Sequence, residues 1–180
     1  ASLVVALNQI EAICRLTIPL KPATIEEALA HCEVLARSPG LIIRLQSARA
    51  IHSLLLLLKR TDFSYENVIW PSLIEAAMSE LRSTMPSTVH GALLTLQQLC
   101  RIGCPLICDH FDALIGQAFH MLDHQELCIQ QTAMDLIPDA AHCCPLAFND
   151  THLKSWIDRI LRSLPGEDER GAIEAIGSIA

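Results

Sequence analysis

Residues 111–122 read FDALIGQAFHML, in which six apolar side chains recur at offsets of 0, 3, 4, 7, 8 and 11 from Phe111. This spacing places them in one stripe along an α-helix of about 3.6 residues per turn. Residues 153–164 (LKSWIDRILRSL) and 70–81 (WPSLIEAAMSEL) carry the same six offsets, and residues 25–36 follow them less strictly. The four starts lie 45, 41 and 42 residues apart, so the pattern indicates a repeated helix.

A second helical series lies between these stripes. Residues 46–51 (QSARAI), 91–96 (GALLTL), 131–136 (QTAMDL) and 171–176 (GAIEAI) align without gaps, with a small residue second and a branched aliphatic residue sixth. Small residues let neighbouring helices approach closely, as a stacked array requires. Two interleaved helices in each period of roughly 40–47 residues are typical of HEAT or armadillo repeats. Because each period holds two helices rather than three, the pattern favours the HEAT type.

The sequence therefore predicts an all-α fold: an α-solenoid of HEAT-type repeats in an armadillo-like superhelix, with about four helix pairs and one truncated helix. The stripe of Ile173, Ile176 and Ile179 on that last helix has no partner within the chain, and the first residue is not methionine. We therefore expect a piece of a longer protein. The single segment, residues 1–180, divides into approximate repeats at 1–39, 40–84, 85–124, 125–165 and a partial repeat at 166–180.

Turn and capping residues separate the predicted helices. Thr24 with Glu27 has the pattern of a capping box. Gly103 is placed to adopt the left-handed conformation that follows a helix, and Pro138 is expected to kink its helix or end it early. The predicted helices cover residues 2–17, 24–38, 41–60, 67–83, 88–103, 106–122, 126–142, 151–164 and 168–180.

Composition and charge exclude several classes of protein. Half of the 180 residues are hydrophobic (51%) and 18% are charged, which excludes a disordered tail. The net charge of −7 disfavours nucleic acid or an anionic membrane as partner, because both require a basic surface. The longest aliphatic run, Leu54–Leu58, is far shorter than the roughly 20 residues of a membrane helix. We expect it to be buried between neighbouring helices, with no membrane insertion.

The eight cysteines lie mostly in apolar helical patterns, and the first residues lack the basic region of a signal peptide. Both features predict reduced thiols in the cytoplasm. Cys100, Cys104, Cys108 and His110 form the one metal-like cluster, since thiolate and imidazole suit zinc. A glycine and a proline break the helix between them, and the spacing matches no strong zinc pattern. We expect buried small side chains instead.

The histidines provide no catalytic motif. His120 and His124 lie one turn apart without a third ligand, and His142 and Cys143 are neighbours whose side chains diverge. We interpret them as surface or interhelical histidines. The sequence also lacks the serine-hydrolase, phosphate-binding and kinase motifs. It predicts no catalytic, cofactor-binding or metal-binding residue, and no enzymatic activity for this segment.

Six polar residues lie off the apolar stripes of three helices, on the side expected to face solvent. A repeat protein can bind partners through such a ridge, and ordinary solvation explains the same residues equally well. Both interpretations stay open for Glu75, Glu80, Asp112, Gln117, Asp158 and Arg159.

Residues 90–102 (HGALLTLQQLCRI) resemble a segment in the N-terminal HEAT region of the target-of-rapamycin (TOR) kinases. The likeness covers about half of the chain and is sharpest at residues 145–151 (PLAFNDT). The connection from Gly103 to Phe111 is short, whereas many family members carry a long polar insertion at this place. The resemblance therefore implies either a compact family member or a sequence that lacks the inserted residues. The other matching stretches, in order, are residues 111–112 (FD), 135–138 (DLIP) and 169–172 (ERGA).

The resemblance implies a non-catalytic scaffold in nutrient and growth signalling. TOR proteins are very large serine/threonine protein kinases whose catalytic domain lies far C-terminal of this region and is not in this chain. Their N-terminal HEAT solenoid docks a Raptor-like adaptor in one complex and Rictor-like components in the other, and it helps to hold the kinase dimer together. The resemblance implies a cytoplasmic location, with peripheral attachment to lysosomal or vacuolar membranes through the parent complex. It carries no ATP-binding, metal-binding or adaptor-contacting residue onto this sequence.

Two other hypotheses stay open. The same fold occurs in other HEAT scaffolds, such as a karyopherin-like transport receptor or a phosphatase scaffold subunit. A small thiol-dependent or zinc-dependent enzyme is the alternative from a different class, and it would require the cysteines to be functional rather than part of the core.

Overall fold

The computed structural model describes residues 2–15, 20–61 and 63–163, and every regular element in these ranges is helical. The all-α class is therefore confirmed for the described part of the chain. A 3₁₀ turn (Pro105–His110) precedes the sixth helix, and a short turn (Pro145–Ala147) and a π-helical segment (Phe148–His152) lead into the eighth. The eight helices are α1 (Ser2–Arg15), α2 (Pro22–Ala36), α3 (Leu41–Thr61), α4 (Phe63–Glu80), α5 (Pro86–Arg101), α6 (Phe111–Met121), α7 (Leu127–Cys143) and α8 (Leu153–Ser163).

The helices pack in two rows. Helices α1, α3, α5 and α7 contact one another in that order, and we call them the odd-numbered row. Helices α2, α4 and α6 pack against α3, α5 and α7 respectively. Helix α8 contacts α6 through Trp156, which stacks on Phe119 with ring centroids 6.0 Å apart. This order of contacts is consistent with an α-solenoid.

The predicted stripes are the buried faces of the helices. Leu114 and Ile115 of α6 and Trp70 of α4 are buried, and one hydrophobic cluster runs from Leu7 in α1 to Ile160 in α8. The apolar run at residues 54–58 is also buried on nearly every side, as expected. One member of the stripe on α8 faces solvent, since Leu161 is 55% exposed.

Helix α5 approaches the end of α2 most closely at Gly91. A Cβ atom at this position would lie 2.2 Å from the carbonyl oxygen of Ala36, so only glycine fits there without movement of the backbone. The next residue, Ala92, and its counterpart Ser47 in α3 are also buried. The structure therefore shows a close approach at Gly91 and burial of the small residues at the neighbouring motif position.

The structure confirms one predicted helix end and corrects another. Gly103 has φ 68°, and its N–H bonds to the carbonyl of Cys100, while the next N–H bonds to the carbonyl of Leu99. This is a Schellman motif. The capping box at Thr24 is wrong: α2 begins at Pro22, with Lys21 as N-cap and no side-chain hydrogen bond. Proline suits the first helical position because the N–H that it lacks would be unbonded there.

Two further differences concern a proline and a short helical segment. Pro138 does not end α7, which continues to Cys143, and Pro71 also lies inside a helix. Residues 106–110, predicted as the first turns of an α-helix, belong to the 3₁₀ turn. The ninth predicted helix, residues 168–180 with the stripe at Ile173, Ile176 and Ile179, lies outside the described residues.

Helix α3 is long and apolar enough, over Leu41–Arg60, to cross a membrane by length and composition alone. Half of this stretch is buried inside the chain. A buried core helix satisfies the same criterion, so its length and composition are weak evidence for a membrane span.

Candidate functional site: an arginine-lined groove on the odd-numbered row

The structure does not assemble the metal-like cysteine cluster. Cys108 forms a disulfide bond with Cys144, with their Cα atoms 5.8 Å apart, while Cys100 and Cys104 are buried and take part in no disulfide bond. The expectation of reduced thiols is therefore wrong for Cys108 and Cys144. These two residues are 36 positions apart in the sequence, so no local pattern indicates that they pair. Within the described ranges, no group of three His, Cys, Asp or Glu side chains could hold a metal ion.

The buried free thiols are also poorly suited to nucleophilic chemistry. Burial raises the pKa of Cys32 to about 11 and raises the pKa of Cys100 well above its ordinary value. Burial also raises the pKa of Cys143, although the nearby Lys59 acts in the opposite direction. Because the thiolate is the nucleophile and the metal ligand, these raised pKa values keep the sulfur atoms in their unreactive form.

The structure shows the surroundings of the two pairs noted in the sequence, His120 with His124 and His142 with Cys143. His120 lies near the end of α6, whereas His124 lies in the following loop, where its Nδ1 accepts a hydrogen bond from the backbone N–H of Glu126 at 3.0 Å. The thiol of Cys143 lies 3.4 Å from the carbonyl oxygen of Cys104, its hydrogen-bond acceptor, and His142 is exposed. Neither pair forms a catalytic arrangement.

A buried polar network connects three helices of the odd-numbered row. Arg44 of α3 donates from Nε to Nδ1 of His90 in α5 at 2.8 Å, and His90 Nε2 lies 2.9 Å from the hydroxyl oxygen of Thr132 in α7. Arg44 also donates to the carbonyl oxygens of Ser38 and Pro39, after α2. Because arginine can only donate, His90 accepts at Nδ1 and carries its proton on Nε2. No motif in the sequence indicates this network.

His90 is held in its neutral form. Burial, followed by the positive charge of Arg44, lowers its pKa to about 4. The histidine therefore acts as a fixed hydrogen-bonded link between α3, α5 and α7.

The polar ridge proposed from the sequence is partly used for contacts within the chain. Glu80 pairs with Arg37, and the carboxylate of Asp112 lies 2.8 Å from His152 Nε2. Arg159 pairs with Asp123, in the loop before α7. These three pairs link successive helices, so half of the six predicted ridge residues already have partners within the chain.

The odd-numbered row carries a groove of a different character. Its larger part has a volume of about 610 Å³ and lies between α1, α3 and α5. Its smaller part, of about 380 Å³, lies between α3, α5 and α7 and shares the side chains of Arg49, Gln98 and Arg101 with the larger part. We call the two parts together the arginine groove, which is defined by Arg15, Arg49, Arg60, Gln97, Gln98 and Arg101.

The charges in this groove are mostly of one sign. Four arginines and a single carboxylate, Glu11, line the larger part. Arg15 pairs with Glu11, and Arg101 Nε donates to Asp139 of α7 at 2.8 Å. Arg49 and Arg60 are exposed and form no ion pair within the described part of the chain. The groove therefore presents two free guanidinium groups to solvent.

The floor of the groove contains two glutamines. The side chains of Gln97 and Gln98 belong to residues that are 4% and 6% exposed, and neither amide forms a hydrogen bond among the described residues. The half-buried His52 lies beside them, and burial and the positive charge of Arg101 lower its pKa. This combination of guanidinium and amide groups can bind an anionic ligand.

A sequence signal for this groove does exist. Arg15, Arg60 and Arg101 recur 45 and 41 residues apart, which is the repeat period, and each lies in the last turn of its helix. Arginine at a helix C-terminus also complements the helix dipole, which provides a structural reason for these three. Arg49 lies in the middle of α3, where the dipole provides no such reason.

Searches of protein-family models, of curated proteins and of solved structures each find no match to this chain. The likeness to the TOR kinases therefore rests on the residues quoted above.

Proposed function

We propose that this chain is a non-catalytic segment of a HEAT-type repeat scaffold that binds protein partners. The observation that carries this proposal is the arginine groove, which is shared by four successive helices of one row and exists because those helices stack. Its lining side chains can bind a ligand.

We propose further that the parent protein is a TOR-like kinase, and that the partners are a Raptor-like or Rictor-like adaptor together with other parts of the parent complex. The resemblance at residues 90–102 supports this because it falls on α5, whose residues 89–100 are all buried. Within it, His90 holds the polar network and Gly91 provides the close approach to α2. A likeness at residues with such specific packing roles favours a common geometry.

Analytical size-exclusion chromatography of the purified chain with a purified Raptor-like or Rictor-like adaptor tests this proposal. Circular dichroism first establishes that the chain is helical and unfolds cooperatively. We expect co-elution with at least one adaptor. A folded chain that elutes apart from both would overturn the TOR assignment, and co-elution with a nuclear-transport cargo or a phosphatase catalytic subunit would transfer the scaffold to a different parent protein.

A further inference from the structure

We propose that the arginine groove binds an extended acidic segment of a partner protein. This inference rests on the proposed scaffold function and deepens it by naming the chemistry that the partner must present. Four observations support it: the distribution of charge, the spacing of the free arginines, the unused glutamine amides and the nature of the other lining residues.

The distribution of charge is uneven. The chain has a net charge of −7 and only 13 basic residues, yet four of these line the larger part of one groove. Elsewhere the structure pairs Arg37 with Glu80 and Arg159 with Asp123. Arg49 and Arg60 have no such partner among the described residues. A concave site with an excess of one charge concentrates ligands of the opposite charge.

The two free arginines lie on the same side of α3. They are 11 residues apart, close to three helical turns, which separates them by about 16 Å along the helix axis. An extended chain covers this distance in about five residues, at roughly 3.3 Å each. His52, Ser53 and Leu56 line the groove between them. Because successive side chains of an extended chain point to opposite faces, we therefore expect two acidic side chains about four or six residues apart in the bound segment.

The glutamines provide the second part of the recognition. No hydrogen bond among the described residues uses these two amides, and each glutamine offers one carbonyl acceptor and two N–H donors. Gln98 lies where the two parts of the groove meet and Gln97 lines the smaller part, so both can bond to the N–H and C=O groups of an extended backbone. This explains why a peptide suits the site better than an isolated anion does.

The other lining residues disfavour a nucleic acid. Single-stranded nucleic acids bind through aromatic side chains on which the bases stack. The residues that line the two parts of the groove include no phenylalanine, tyrosine or tryptophan. Asp135 in the smaller part and the overall negative charge also repel a long polyanion.

Fluorescence anisotropy with a labelled peptide of about twelve residues, in which glutamate alternates with serine or glycine, tests the proposal. We expect saturable binding that weakens as salt is added. The matched peptide with glutamine in place of every glutamate should bind at least about tenfold more weakly, because it cannot form charge-assisted hydrogen bonds with the arginines. Equal binding of the two peptides would overturn the proposal.

A pair of double variants separates the groove from general electrostatic attraction. Arg49→Glu with Arg60→Glu should weaken binding of the acidic peptide by at least about tenfold. Arg82→Glu with Lys154→Glu makes the same change in net charge at exposed positions outside the groove and should change binding less than about twofold. Thermal unfolding followed by circular dichroism verifies that both variants fold. Equal weakening in the two variants, or tighter binding of a single-stranded RNA oligonucleotide than of the peptide, would overturn the proposal.

The failure of this inference is distinguishable from failure of the proposed function. Suppose that the Arg49→Glu, Arg60→Glu variant still co-elutes with the adaptor and does not differ from the control variant in peptide binding. The proposal that the arginine groove binds an acidic segment is then wrong, and the proposed scaffold function is retained. If the wild-type chain binds the acidic peptide but no adaptor, the proposed binding of acidic segments by the groove is retained and the TOR assignment is wrong.

Discussion

At the scale of single residues, the protonation of His90 makes the free energy of unfolding depend on pH. Its pKa in the folded chain, about 4, lies below its ordinary value of 6.5, so the unfolded chain takes up the proton first as the pH falls. The stabilisation by neutral His90 is therefore complete above about pH 6.5 and is lost progressively as the pH falls towards 4. The shift corresponds to at most on the order of 3 kcal/mol.

We expect the His90→Gln variant to lose this part of the pH dependence. Glutamine can still accept from Arg44 and donate to Thr132, but it does not titrate. Urea unfolding of both proteins between pH 7.5 and pH 4.5 measures the difference. The free energy of unfolding of the wild type should fall more steeply than that of the variant. Parallel curves would show that His90 is not the titrating group.

Gly91 and Gly116 form a matched pair for the close approach between α5 and α2. We expect Gly91→Ala to lower the free energy of unfolding by about 2–3 kcal/mol, because the added Cβ meets the backbone oxygen of Ala36. Gly116→Ala, in the exposed part of α6, places its Cβ in open space. It should stabilise the chain by about 0.5–1 kcal/mol through helix propensity. Thermal unfolding of both variants tests this, and equal effects would contradict the packing described at Gly91.

At the scale of elements, the disulfide ties the 3₁₀ turn before α6 to the segment after α7. A bridge across 36 residues stabilises a chain by about 3–4 kcal/mol in the chain-entropy model. We expect Cys108→Ser with Cys144→Ser to lower the free energy of unfolding by up to this amount, whereas Cys128→Ser, at a free and half-buried thiol, should have a small effect. Urea unfolding without reductant measures both.

Thiol titration of the denatured wild-type chain provides the direct check on the bridge. Six thiols should react before reduction and eight after it. Eight reactive thiols without reductant would show that Cys108 and Cys144 are not joined.

The helices themselves were predictable because their signal is local and repeated. Leu114 and Ile115 lie on a stripe whose period follows directly from helix geometry, and their burial confirms the prediction. The start of α2 was not predictable in the same way, because Thr24 with Glu27 and Pro22 both have the features of a helix start. The local sequence is compatible with both starts of α2, and packing against the rest of the chain selects one of them.

At the scale of the whole molecule, the features that matter most join residues far apart in the sequence. The Arg44–His90–Thr132 network spans separations of 46 and 42 residues. No local pattern predicts such contacts, although the separations are close to the repeat period. The arginine groove is also formed by residues far apart in the sequence, because stacking of the helices brings its side chains together. The recurrence of Arg15, Arg60 and Arg101 at the repeat period is the one sequence feature that indicates it.

In the proposed complex, the odd-numbered row binds a protein partner through the arginine groove. Hydrogen–deuterium exchange of the chain, alone and in complex with its adaptor, tests this most directly. We predict that the adaptor slows exchange most in segments around residues 49–60 and 97–101, which line the groove. A stable complex in which the slowed exchange is confined to α2, α4 and α6 would contradict the claim.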